Sequence, residues 1–385
     1  MTEVYDLFVI GGGINGAGIA RDAAGRGLKV CLADKGEIGG ATSSWSTKLI
    51  HGGLRYLENY DFKLVRESLK EREIIYRIAN DITEPIPFII PHSKNLRPAW
   101  LIRFGLFIYD NLGGKSTIPK SQSINIQKEY PNILKSEYSK GFKYYDLQVD
   151  DKKLTQLNAT DARAKGATIL EDIKVTGVER NKSEWLVHLG SGKSVTSKIL
   201  INASGPWVNE VTNNILKIKT KKSIRLVKGS HIIVKKMYNE KIAFTLQTND
   251  KRIVFVIPYN KDFSLIGTTE VDVINPEKPM IDEEEINYLI SSVNKFFSKE
   301  IKVSDIIETY SGIRPLIEDF KDASKVTRDY AFDLNCENDL APLLNIYGGK
   351  LTTYRKLAEK VLDELSDYIP KHARKKWTSL SNLVN

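Results

Sequence analysis

A strand, a glycine turn and a helix near the start of the chain restrict its fold more than any other feature. In VYDLFVIGGGINGAGIARDAAGRGLKVCLADKG, the apolar run from Leu7 to Ile10 reads as a buried parallel strand. Gly11, Gly13 and Gly16 follow it as G-x-G-x-x-G. The first glycine makes the tight turn, and the second lets the backbone approach a pyrophosphate. The third lets the helix pack closely on the strand. A helix from Ile14 to about Ala24 then aims its free N–H groups at that pyrophosphate. A second strand, Lys29 to Ala33, ends at Asp34, where a carboxylate accepts hydrogen bonds from ribose hydroxyls. These residues predict an α/β unit that binds a dinucleotide, and they do not separate NAD from FAD.

The stretch GGATSSWSTKLIHGGLRYLE, from Gly39 to Glu58, comes next. It does not alternate like a strand, and its pair Gly52 and Gly53 argues against one continuous helix. A Ser/Thr cluster is ordinarily a solvated loop. Here the neighbouring KLIHGGLRYLE is too apolar and too rich in glycine for that, and the stretch lies at the edge where a dinucleotide would sit. It is therefore expected to contact ligand, with Thr42, Ser43, Ser44, Ser46 and Thr47 supplying hydroxyls.

Charge and cysteine content narrow the partners. Lys and Arg total 57 against 48 Asp and Glu, a net charge of +9, which favours anionic partners. The lysines are scattered and no nucleic-acid motif occurs, so the excess reads first as a solvated lysine-rich surface; an anionic lipid or a phosphorylated substrate is the partner it would favour, and no nucleic acid is expected. The cysteines, Cys31 and Cys336, belong to no paired motif, so no metal is expected and a reducing compartment suits the chain. No leader-like segment precedes Val4 and no apolar run reaches membrane length, so a cytoplasmic location is expected.

Further along, Asp61 to about Ala79 is an amphipathic helix and PIPFIIP a strand. The segment Leu96 to Gly114 is a strongly apolar helix interrupted by Arg103. It reads as buried beside the active site, with contact to a membrane surface as the alternative. Val149 to Leu170 reads as helix, glycine cap and strand, returning to the first sheet. A hairpin follows, turning at Gly190 and Gly192. Then come the strands IRLVKGSHIIV, KRIVFVIPY and FSLIGTTEVD, a helix from Glu283 to Phe297, and the glycine loop that opens the helix of IYGGKLTTYRKLAEKVLDEL. The cofactor domain is expected to be discontinuous, comprising 1–75, 144–220 and 306–372. A substrate domain of 76–143 and 221–305 is inserted, and 373–385 forms a truncated C-terminal extension.

Taken in order, DLFVIGGGINGAGIARDAAGRGL, ATSSWSTKLIHGGLRYLENYDFKLVRESLKERE, LRPAWLIRFGLFIYDNLGG, NASGPWV, TYSGIRPL and YGGKLTTYRKLAEKVL resemble the FAD-dependent glycerol-3-phosphate dehydrogenases. That family lies within the wider D-amino-acid-oxidase-like flavoproteins. The resemblance implies a Rossmann-like α/β domain holding FAD, with an inserted antiparallel-sheet substrate domain. It places Gly11, Gly13, Gly16, Asp34, Thr42, Ser43, Ser46, Lys48, Leu49, His51 and Gly52 against the cofactor. Ala203 and Gly205 of NASGPWV, and Gly349, Lys350, Leu351 and Thr352 of GGKLT, would complete its binding site.

The implied reaction is oxidation of sn-glycerol 3-phosphate to dihydroxyacetone phosphate. Arg55, Tyr56, Arg314, Arg328 and Lys350 would bind the substrate, since a phosphate dianion needs fixed cations. His231 would take the hydroxyl proton, with Arg314 as the second catalytic residue. Electrons would pass to a membrane quinone, with the enzyme peripheral on the cytoplasmic face of the inner membrane and a homodimer allowed. A glycerol-3-phosphate oxidase, an amine or amino-acid oxidase of the same superfamily, and a degenerate flavin-binding module are the alternatives. The family usually continues into a C-terminal helical domain, whereas this sequence ends at KKWTSLSNLVN.

Overall fold

The structure is a computed structural model that describes residues 4–93, 97–220, 222–248, 250, 252–318 and 329–383. It has two sheets. In the first, Val4–Ile10 pairs in parallel with Val30–Ala33 on one side and Ser194–Asn202 on the other. Thr168–Leu170 extends one edge, while Leu343–Gly348 and Tyr330–Asn335 extend the other. Side chains on a strand alternate between faces. Leu7 and Val9 face a core shared with the helices Ile14–Gly25, Asp151–Ala164 and Tyr354–Glu364. Phe8 and Ile10 face a second core, closed by Trp185 and Val187 of a hairpin. With both faces covered, the run has no polar alternation, which is why it reads as continuous apolar sequence.

The second sheet has ten strands. Its long pairing joins Ile224–Lys235 to Ile306–Ile317, antiparallel along nearly their whole length. Phe263–Gly267, Ile253–Tyr259 and Ala243–Gln247 follow, then Thr83–His92, Lys140–Val149 and the short Leu49–Ile50, while Val271–Val273 and Gln122–Asn125 pair at the margins with Ile224–Lys235 and Lys140–Val149. Two expected domain limits therefore move. The strands Lys140–Val149 and Ile306–Ile317 both lie in this sheet, so neither 144 nor 306 divides the sheets. Strand pairing across the chain decides that, and no local pattern reports it.

The apolar helix is Ala99–Leu112. Ile102, Leu106 and Tyr109 are buried, but Trp100 is 71% exposed, Phe104 55% and Phe107 59%, with Leu101 at 44%. The buried expectation holds for one face only; the other is an open apolar surface.

Residues 371–383 lie across the first domain as a strap. Trp377 donates from Nε1 to the Asp22 carbonyl (3.1 Å) and packs so close to Gly25 that a Cβ there would fall 2.0 Å from its ring. The strap's carbonyls at Ala373, Ser379 and Ser381 accept from Arg26, Arg77 and Arg21. The Leu383 N–H returns to the Ile78 carbonyl (2.8 Å).

Candidate active site

A single cleft runs from the glycine turn of the first sheet to the strands of the second. Gly11 and Gly13 line it, and their neighbour Gly16 does not. Gly11 and Gly16 each have a physical reason to be glycine. Gly11 has φ +105°, and a Cβ there would lie 2.6 Å from the Ala203 carbonyl oxygen. A Cβ on Gly16 would lie 1.8 Å from the Gly11 oxygen, so only glycine lets the helix approach the turn. Asp34 lines the cleft and accepts from the Gly12 N–H (2.6 Å) and the Gly36 N–H (2.8 Å), one on each carboxylate oxygen. A carboxylate offers about four acceptor directions, so capacity remains for ribose hydroxyls.

The hydroxyl-rich loop divides its work. Thr42, Ser43, Ser46, Leu49 and His51 line the cleft, while Lys48 and Gly52 sit behind it. Ser43 accepts from the Ile14 N–H (2.9 Å) and so ties the loop to the helix start. Thr42 donates to the Ile313 carbonyl (2.9 Å), fastening the loop to the second sheet. Ser46 Oγ (2.6 Å) and Lys48 Nζ (2.7 Å) both bind the carboxylate of buried Asp151. Much of the loop's polarity is thus spent on holding its own shape. Opposite, Ala203 and Gly205 line the cleft, as do Gly349, Lys350, Leu351 and Thr352. Thr352 Oγ1 exchanges hydrogen bonds with the main chain of His51, joining the two cofactor-side segments.

The cations converge at the second-sheet end. Arg55, Tyr56, Arg314 and Lys350 all line the cleft. Lys350 Nζ lies 4.3 Å from the centre of the Tyr56 ring, and Arg55 is 4.0 Å from the Glu270 carboxylate. Arg314 lies over Gly229, where a Cβ would meet its guanidinium at 2.3 Å. It donates to Thr268 Oγ1 (2.9 Å) and the Thr269 carbonyl (3.4 Å). Arg328 lies outside the described residues.

His231 does not line the cleft. It is 1% exposed, stacked on Tyr310 at 4.6 Å, with Nε2 3.0 Å from Thr47 Oγ1. Thr47 does face the cleft. Burial, then the charges of Arg314 and Lys48, hold the imidazole well below its ordinary pKa of 6.5. Sequence reading also missed the parts played by Thr268, Thr269 and Glu270. The only signal for them was the run TTE beside a strand end.

The glycine cradle, the acid at the second strand and the loop clamped over the helix start fit a bound dinucleotide. A model of FAD dependent oxidoreductases matches residues 6–338. The chain belongs to that family. As a FAD-dependent oxidoreductase, it is 47% identical over 373 residues to the aerobic glycerol-3-phosphate dehydrogenase of Escherichia coli, with 95% of this chain and 74% of that protein covered. It is equally 47% identical over 376 residues to a D-erythritol 1-phosphate dehydrogenase of Brucella abortus, covering 96% and 75%. Among solved structures, the glycerol-3-phosphate dehydrogenase of Bacillus halodurans complexed with FAD superposes with a TM-score of 0.74 at 28% identity. That match covers 95% of this chain and 65% of that one, so the chain spans just under two thirds of its length. FAD is the cofactor of this oxidoreductase.

Proposed function

We propose that this chain oxidises sn-glycerol 3-phosphate to dihydroxyacetone phosphate and passes the electrons to a membrane quinone. The observation that carries the reading is the gathering of Arg55, Arg314 and Lys350 in the cleft that also holds the dinucleotide turn. A guanidinium fork binds two oxygens of a phosphate, and each such charged bond contributes about 1.5–3 kcal/mol. Arg314 is held for that task by Thr268 and Thr269.

FAD, when bound, supplies the acceptor for the hydride that leaves the carbinol carbon. The chain's own residues manage the proton. A neutral imidazole is a competent base, and the depressed pKa keeps His231 neutral at physiological pH. Since Thr47 stands between His231 and the cleft, the substrate hydroxyl gives its proton to Thr47 Oγ1 while Thr47 gives its own to His231 Nε2. Tyr310, stacked on the ring, fixes its plane.

The test is anaerobic addition of sn-glycerol 3-phosphate to the yellow protein. Fast loss of flavin absorption, followed by reoxidation with a soluble quinone, is expected. No bleaching refutes the substrate; reoxidation only by oxygen, with stoichiometric peroxide, makes the protein an oxidase. A second reading is oxidation of D-erythritol 1-phosphate, favoured by the Brucella relative's equal identity. Bleaching by that compound alone would select it.

The open apolar face of Ala99–Leu112 supports docking on the cytoplasmic face of a membrane. Among the described residues, no helix is long and apolar enough to cross a membrane. Phe104→Ser with Phe107→Ser should release the protein from anionic vesicles in a sedimentation assay. Unchanged binding would refute this surface.

A further inference from the structure

A buried set of polar side chains reaches the back of the substrate loop, and one of them, Asp146, also borders the cleft. The Gly52 N–H donates to the Tyr109 hydroxyl (2.7 Å), and that hydroxyl donates onward to the Asp146 carboxylate at 2.7 Å. Arg72 donates to Asp146 Oδ1 (2.8 Å) and to the Tyr145 carbonyl (2.8 Å). Tyr109 is 2% exposed and Asp146 3%, so water cannot replace these bonds. There is also no slack at Gly52, where an added Cβ would lie 2.7 Å from the Tyr109 oxygen and 2.4 Å from Leu69.

The geometry makes Gly52 a pivot. It faces away from the cleft, while His51 before it and Gly53, Leu54, Arg55 and Tyr56 after it all line the cleft. Gly53 has φ +77°, so the chain turns sharply just after the held amide. A loop that reverses there has few ways to keep its register; the short hydrogen bond from the Gly52 N–H to Tyr109 grips it from behind, with a longer one from the same N–H to Asp146 (3.4 Å). We propose that Tyr109 is a positioning residue, with Asp146 and Arg72 fixing its hydroxyl. Through Gly52 it sets where Arg55 and Tyr56 stand in the cleft. The proposal rests on the reading that these two residues bind the phosphorylated substrate.

The geometry also gives Tyr109 a second address. It lies on Ala99–Leu112, the helix whose outer face exposes Trp100, Phe104 and Phe107. One side chain therefore joins the open surface helix to the substrate loop.

The test is Tyr109→Phe in the FAD-loaded protein. It keeps the ring, removes the hydroxyl and leaves Asp146 paired with Arg72. A displaced loop costs substrate binding more than chemistry. The expected result is about a tenfold rise in KM for glycerol 3-phosphate, with kcat within about threefold and a changed visible circular-dichroism band of the bound flavin. Arg72→Lys, which loosens the hold on Asp146 from outside the cleft and keeps the charge, should give the same pattern and is read in its place if Tyr109→Phe does not fold. Asn111→Ala, an exposed change on the same helix, serves as control. Unchanged KM and flavin band in a folded variant would overturn the proposal, as would the same KM rise in Asn111→Ala. The flavin band needs no turnover. If wild-type protein fails to oxidise glycerol 3-phosphate, the functional reading falls, while an altered band still supports the grip on the loop and an unaltered one removes it.

Discussion

Replacing Arg314 by methionine keeps much of the side chain's length and removes its charge, and the structure predicts two separate consequences. The first concerns binding. Arg314 lines the cleft and is oriented there by Thr268 Oγ1 and the Thr269 carbonyl, which places its guanidinium where a substrate phosphate would sit. Losing a charged hydrogen bond to phosphate costs about 1.5–3 kcal/mol, or roughly one to two decades in kcat/KM. The second concerns the base. After burial, the Arg314 charge is the next largest cause of the depressed His231 pKa. Removing it raises that pKa toward 6.5, so the acid limb of the pH–rate profile moves to higher pH. Steady-state rates across pH, with glycerol 3-phosphate and with unphosphorylated glycerol, read both effects. Equal losses for the two substrates would show that Arg314 does not read phosphate. An acid limb that stays put or moves to lower pH would show that His231 is not the base, or that Arg314 does not act on it.

Gly16→Ala places a Cβ 1.8 Å from the Gly11 oxygen, so the purified variant should be colourless and resist reconstitution with FAD; bound flavin at wild-type occupancy would refute the close-packing argument. Trp377→Ala should cost about 2–3 kcal/mol by denaturant titration, discounted from a fully buried aromatic because this ring is only half-buried. A loss below about 0.5 kcal/mol would mean the strap is ornamental. His231 resists protonation when folded, while an unfolded histidine takes a proton near 6.5, so wild-type stability falls as pH drops below that value. His231→Gln should flatten that fall in a melting series from pH 7 to pH 5, and should lower kcat by roughly two to four decades.

How much of this was legible depends on the range over which each feature is decided. The turn at Gly11 to Gly16 is local: strand, glycine spacing and helix are all written within a short stretch, and the structure places each as read. Strand Ile306–Ile317 finds its partner, Ile224–Lys235, far back in the chain, and only that pairing assigns it to the second sheet. In the site, Arg314 and Lys350 are among the residues that line the cleft. His231 is not, because a run of apolar residues on a strand buried on both faces leaves no alternation to say which face a histidine takes. Ser46 and Lys48 were legible as polar, yet their partner Asp151 comes from a helix start about a hundred residues later. Nothing near them shows that they serve the loop's shape.

The strap over the first domain has a consequence for the order in which that domain is completed. Arg26 meets its Ala373 carbonyl across 347 residues of sequence, and Trp377 reaches Asp22 across 355. During synthesis the first helix emerges long before the segment that covers it, and its arginines wait in water. Contacts of such long sequence separation form late and slowly. The nucleotide-binding half, though begun first on the ribosome, is therefore sealed only after the strands of the other half have been made.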